Sequence, residues 1–121
     1  MIGRLLRALR FTAAGLRHAA QHEAAVREEL IGLAVLIPVS IALPVSRVEH
    51  VLLVLPLLLL LAVELLNSAI ERAIDRISLE RHPLAGQAKD MGSAAVFVVL
   101  VMVAVCWSVI VGPLAVAWLR R

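Results

Sequence analysis

Glu64, Asn67, Ser68, Glu71 and Asp75 follow one another at intervals of one to four residues at the end of a long apolar run. At roughly 100° per residue they fall within about ±60° of a single helix face, so that face carries three carboxylates. Upstream, Val51–Val63 contains no charged residue, which sets Glu64 where hydrocarbon gives way to headgroups or water. An ionisable group at that depth is expensive to keep and marks either function or an interhelical polar contact. Further carboxylates stand at Glu23, Glu28 and Glu29, and a cation beside an acid at Lys89–Asp90. Carboxylates together with water and substrate phosphates are the usual holders of Mg²⁺, and nearby Lys or Arg neutralises phosphate oxygens. The grouping points to phosphoryl transfer, which asks for little beyond positioning, a metal and cations.

Simpler readings exist for most of these residues. Glu23, Glu28 and Glu29 also fit a solvated helix face pairing with Arg27, and Glu71 and Asp75 flank Arg72 and Arg76 as surface pairs would. Lys89–Asp90 suits a capping region at the start of the following helix. His82 before Pro83 reads as a loop residue, and Trp107 as packing. The six glycines never approach the spacing of a phosphate-binding P-loop, and the sequence holds no Cys/His cluster with zinc spacing.

The elements that must position this chemistry belong to a membrane protein. Of 121 residues, 62% are hydrophobic and 3% aromatic, and the mean hydropathy is +0.97. That is too apolar for a soluble domain with a polar surface. The net charge of +3 reports topology and anionic lipid rather than nucleic acid, and no nucleic-acid module is visible. The single Cys106 excludes an intrachain disulfide. Met1–Arg10 interrupts its leucines with Arg and lacks the continuous apolar core of a signal peptide.

Residues 4–27 are expected to form an amphipathic surface helix, with Leu5, Leu6, Leu9, Ala13, Leu16 and Ala20 on one side and Arg4 and Arg7 on the other. A first span is expected over 30–45, with Pro38 and Pro44 inside or ending it. Ser46–His50 reads as a tight polar connection. A second span over 50–70 is expected to run unbroken through Glu64 and extend to about residue 77. Ser78–Asp90 reads as a charged loop, and 92–119 as a third span ending near Trp118. The predicted whole is a single all-α membrane domain, residues 1–121. Arg4, Arg7, Arg10, Arg17 and Arg27 before the first span, and Arg72, Arg76, Arg81 and Lys89 between the second and third, place both segments in the cytoplasm by the positive-inside rule. Small residues around Gly92, Ser93, Ala94, Ala95 and Ala104 suit close helix packing, and so few helices offer few surfaces to bury several carboxylates; both favour a homo-oligomer.

The run Val63-Glu64-Leu65-Leu66-Asn67-Ser68-Ala69-Ile70-Glu71 with Asp75-Arg76, then Ala88-Lys89-Asp90-Met91-Gly92-Ser93-Ala94-Ala95-Val96, closely resembles the prokaryotic integral-membrane diacylglycerol kinase family. Glu23-Ala24-Ala25 with Arg27 and Glu29 matches that family's upstream acidic motif, and the resemblance covers nearly the whole chain. It implies a homotrimer with composite sites in the bacterial inner membrane, phosphorylating diacylglycerol with MgATP. By that resemblance Glu64 is the catalytic base, oriented by Asn67, and Glu23 and Glu71 hold Mg²⁺ on the ATP phosphates. Arg4, Lys89 and Asp90 correspond to positions around the nucleotide, and Glu80-Arg81-His82 to the loop at its sugar and base. Arg4, Glu29, Glu64, Ser93 and Trp107 fall at lipid-substrate positions. Phe11 replaces a Tyr of the best-known members near the nucleotide and so lacks its hydroxyl. Relatives in Gram-positive bacteria share the glutamates and act on undecaprenol; the Asp90–Ala95 motif with Trp107 leans towards the diacylglycerol branch. From another class, a small proton-coupled transporter could also keep a Glu at membrane depth, though it would have no need of Lys89–Asp90 and the outlying carboxylates.

Overall fold

The computed structural model describes every residue from Met1 to Arg121. It contains four helices, α1 (Ile2–His22), α2 (Ala24–Ala42), α3 (Arg47–Ile77) and α4 (Pro83–Leu119), and no strand. The expectation of an all-α chain holds. Two helices, α3 and α4, are long and apolar enough to cross a membrane. At 1.5 Å per residue they extend roughly 46 and 55 Å, more than a hydrocarbon core of about 30 Å, so each has a length to spare beyond it.

Several boundaries differ from those read in the sequence. The first helix stops at His22 instead of continuing to 27, because Glu23 alone is extended, with φ −114° and ψ 113°. Its N–H still bonds the Ala19 carbonyl (2.8 Å) and its carbonyl accepts from Arg27 N–H (3.2 Å). One residue therefore ends α1 and starts α2. Arg27, expected to pair with neighbouring glutamates, instead donates to the Ala20 and Gln21 carbonyls at 3.1 and 3.3 Å. Those are end carbonyls that no further turn can satisfy, and a cation suits that end of the helix dipole. At its far end α2 stops at Ala42, short of residue 45; Leu43 is extended ahead of Pro44, which disfavours helix in the residue before it.

The charged loop expected over Ser78–Asp90 is shorter than that. α4 begins at Pro83, with the His82 Nδ1 accepting from the Leu84 N–H at 3.1 Å. Proline loses nothing at a first helical position, where its missing N–H has no intrahelical partner anyway. Lys89 and Asp90 thus stand on a formed helix and cap nothing.

Ser46-Arg47-Val48-Glu49 starts α3 as a capping box. The Ser46 Oγ accepts from Glu49 N–H (3.2 Å) and the Glu49 carboxylate accepts from Ser46 N–H (2.7 Å). The helix is not free of breakers, since Pro56 lies inside it and leaves the Leu52 carbonyl without its usual donor. The Trp107 indole N–H of α4 donates to the adjacent Leu53 carbonyl at 3.1 Å, pinning α4 to α3 at this weakened turn.

α3 is the spine, packed between α2 and α4, while α1 reaches the rest through its C-terminal end, where Ala19 is its one buried residue. Ile2, Leu5, Leu6, Leu9 and Phe11 project from α1 with no protein against them. Across the chain only 12 of 121 residues are buried, the apolar ones being Ala19, Val26, Leu53, Leu57, Leu60 and Val99 beside Pro56 and Gly92. Replacing Ser46 by Ala removes the acceptor for an otherwise orphan N–H and is expected to cost about 1 kcal/mol. Thermal unfolding in detergent micelles, with Ser46→Thr as the variant that keeps the acceptor, checks this; equal losses in both would show that the hydroxyl is not the cause.

Candidate functional site

The polar stripe of α3 is divided by burial. Glu64, Asn67 and Ser68 are 8%, 8% and 6% exposed, whereas Glu71 is half-buried and Asp75 open. The three buried groups stay inside because α4 comes very close at Gly92. A Cβ built on Gly92 would collide with the Asn67 side-chain oxygen and force it to shift, so glycine serves close approach there and not an unusual backbone angle. The Asn67 Oδ1 is buried without a hydrogen-bond partner, and so is the Glu29 Oε2. Buried acceptors of this kind are costly unless something fills them.

A groove of about 460 Å³ opens beside Glu64. Its walls are apolar, from Leu33 and Leu36 of α2, Leu57 and Leu60 of α3, and Val96, Leu100 and Val103 of α4, and carboxylates enter only at Glu28, Glu29 and Glu64. Glu28 is exposed, as a solvated face has it, and also stands at the edge of the groove.

Two further glutamates belong to the surroundings of Glu64. Glu23 and Glu71 are both within electrostatic range of Glu64. The extended joint between α1 and α2 turns Glu23 towards α3, where it pairs with Arg72 at 3.1 Å. Arg72 follows Glu71 directly, so Glu23 meets α3 at the turn that carries Glu71. Glu71 itself has no ion pair within the chain, the two present being Glu23–Arg72 and Asp75–Lys89. Carboxylate oxygens in this number suit Mg²⁺, which takes one or two from protein and the rest from water and phosphate. No three Asp, Glu, His or Cys side chains converge within the chain.

Farther out, Asp75 and Lys89 meet at 2.9 Å and clasp the end of α3 to the start of α4. They share a pocket of about 460 Å³ with Glu80, Arg81 and His82, lined also by Ser78, Pro83 and Gly86. Four of the expected nucleotide residues therefore come together, while Asp90 is exposed on α4 outside this lining. Arg4 and Phe11 are not brought to it. Both are exposed on α1, about 28 and 18 Å along the helix from Glu23 at 1.5 Å per residue. Ser93 is exposed beside Gly92, near the stripe, whereas Trp107 bonds Leu53 about 21 Å farther along α4 and does not reach Glu64. The roles of Gly92 as a notch and Arg72 as the partner of Glu23 escaped sequence reasoning; only the small-residue run at Gly92–Ala95 hinted at the first.

A membrane-type helical chain with acids graded from an apolar groove, past a buried carboxylate, to a cation-bearing polar pocket at one end of the bundle has the makings of a membrane enzyme joining an apolar to a highly charged substrate. Comparison with known proteins narrows the class. Residues 10–111 match the family described as prokaryotic diacylglycerol kinase, and the chain belongs to that family. It is 52% identical over 107 residues to a diacylglycerol kinase of Pseudomonas aeruginosa, covering 88% of this chain and 87% of the relative. It is 45% identical over 109 residues to the diacylglycerol kinase of Escherichia coli K12, covering 88% of each, and 42% identical over 103 residues to that of Haemophilus influenzae, covering 85% and 87%.

Gly92→Ala tests the notch. Overpacking at the Asn67 side chain is expected to destabilise by about 1–3 kcal/mol, read by thermal unfolding in micelles. Unchanged stability would mean that α3 and α4 need no such close approach.

Proposed function

We propose that this chain is an ATP-dependent diacylglycerol kinase, converting diacylglycerol to phosphatidic acid at the cytoplasmic face of the bacterial inner membrane. The observation that carries the reading is the position of Glu64, buried between an apolar groove and the Glu23–Glu71 carboxylates. Diacylglycerol would lay its acyl chains along the groove walls with its primary hydroxyl at Glu64. Glu64 takes the hydroxyl proton as the oxygen attacks the γ-phosphorus; the bond to the bridging oxygen breaks and ADP leaves with the electron pair. Asn67, one turn on from Glu64, would orient that base, and Glu29 lines the groove beside the glycerol backbone. Glu23 and Glu71 would hold Mg²⁺, which when bound withdraws charge from the phosphates. Arg72 steadies Glu23 for that task.

Glu80, Arg81, His82 and Lys89, which line one pocket, would receive the nucleotide, with Asp90 at its edge. Arg4 and Phe11 also belong to the nucleotide set, Arg4 reaching the lipid headgroup as well, and Ser93 and Trp107 to the lipid set. Arg4 and Phe11 are too far along α1 to join the pocket of their own chain, which supports a homotrimer whose sites are shared between copies. In that assembly α2 makes the first span, giving three with α3 and α4, and α1 lies on the surface with the N-terminus in the cytoplasm. The buried length of α3 beside α4 and the arginines of α1 support this arrangement. Membership of a kinase family sets aside the transporter reading.

Glu64→Gln is expected to lower labelled-phosphate transfer from ATP at least about 10²-fold with the assembly still folded. The purified protein is offered diacylglycerol and undecaprenol side by side. Near-normal turnover in the variant would remove Glu64 from the mechanism, and preference for undecaprenol would reassign the substrate. Glu23→Gln and Glu71→Gln are each expected to raise the Mg²⁺ concentration needed for half-maximal rate; unchanged Mg²⁺ titrations in both would show that neither is a ligand.

A further inference from the structure

His18 and His22 lie four residues apart on α1, hence on one face, with their rings stacked at a centroid distance of 4.3 Å and an interplanar angle of 22°. The His22 Nδ1 is 2.8 Å from the His18 carbonyl oxygen. A carbonyl only accepts, so Nδ1 carries the proton and the Nε2 lone pair of His22 is left free. Histidines that ligate metals are commonly fixed in this way, the distal ring N–H donating to a backbone carbonyl. We propose that His18 and His22 form a two-histidine site for a borderline transition-metal cation such as Zn²⁺, Ni²⁺ or Cu²⁺, separate from the Mg²⁺ carboxylates.

Imidazole nitrogen suits these ions and not hard, oxygen-seeking Mg²⁺. Two histidines at this spacing bind zinc on the helix of H-E-x-x-H metalloproteases. Here the intervening residues are Ala19, Ala20 and Gln21, with no glutamate to act as a base, so the pair binds without hydrolytic chemistry. Both side chains are exposed, so an ion held by them is open to water, which completes its shell. His18 also lines the space between α1 and α3 that holds Glu23 and Arg72, whose mutual pairing cancels the local charge that would otherwise oppose or distort cation binding. An ion held there staples the last turn of α1, directly before the Glu23 joint.

The test uses the full-length, untagged protein in detergent, titrated with Zn²⁺ by calorimetry and with Cu²⁺ by electron paramagnetic resonance, Mg²⁺ being present in excess. One ion per chain with nitrogen hyperfine structure is expected. His18→Gln and His22→Gln should each weaken binding roughly 100-fold through loss of the chelate, and Zn²⁺ should raise the unfolding temperature of the parent but of neither variant. The paired variant Glu23→Gln with Arg72→Gln, which leaves the local charge unchanged, should bind as the parent does. Retention of affinity in either histidine variant, or its loss in the paired variant, would overturn the site, the latter by moving the ion to the carboxylates. Because the readouts are binding and stability, they stand apart from the kinase reading.

Discussion

Hydrocarbon offers a peptide group no hydrogen-bond partner, and the whole chain is arranged around that denial. Backbone inside the bilayer must bond to itself, so the spanning structure is helix. The helices are interrupted at only three places: at Glu23, across 43–46 and across 78–82. Each interruption is dressed to satisfy what the helices leave open, by Arg27 on the α1 carbonyls, by the Ser46–Glu49 capping box and by His82 ahead of Pro83. The same denial explains Trp107. An indole N–H in an apolar helix needs an acceptor, and the turn loosened by Pro56 supplies one.

Against this background Glu64, Asn67 and Ser68 are the exceptions, polar side chains kept inside the bundle. They are tolerated because α4 closes over them at Gly92, and because the nearest carboxylates do not all stand uncompensated. Arg72 answers Glu23 and Lys89 answers Asp75, leaving Glu64 and Glu71 as the acids of the stripe without a cation in the chain. Partly exposed ion pairs contribute little to stability. Their effect here is geometric, since one ties the α1–α2 joint to α3 and the other ties α3 to α4 at the same end of the bundle.

How much of this could be read beforehand follows from the range of each interaction. The all-helical plan, the polar face of α3 and the joint between polar and apolar halves of that helix are written in local periodicity, and these hold. Local signals also exist for the capping box in Ser46–Glu49, for Pro83 as a first helical residue and for Pro56 within α3, whereas the density of charge over Ser78–Asp90 has the pattern of a loop. The extended conformation of Glu23 has no such signal: neighbouring residues all favour helix, and the pairing with Arg72, forty-nine positions away, is a tertiary contact. The fit of Asn67 against Gly92 is of the same long-range kind. Motif resemblance grouped Glu80, Arg81, His82 and Lys89, which do line one pocket, a grouping that periodicity alone does not encode.

The scarcity of buried residues has a meaning for what stability is in this molecule. A soluble domain carries its solvent boundary with it, and its core is the same in any buffer. Here Leu5, Val35, Leu55, Phe97 and Val105 face outward, and what lies against them is supplied from outside. The free energy of the fold is therefore a property of chain and surroundings jointly, set by lipid, detergent or neighbouring copies as much as by sequence. A change at one of those positions is a change in solubility parameter rather than in packing, and its cost is defined only once the solvent is named.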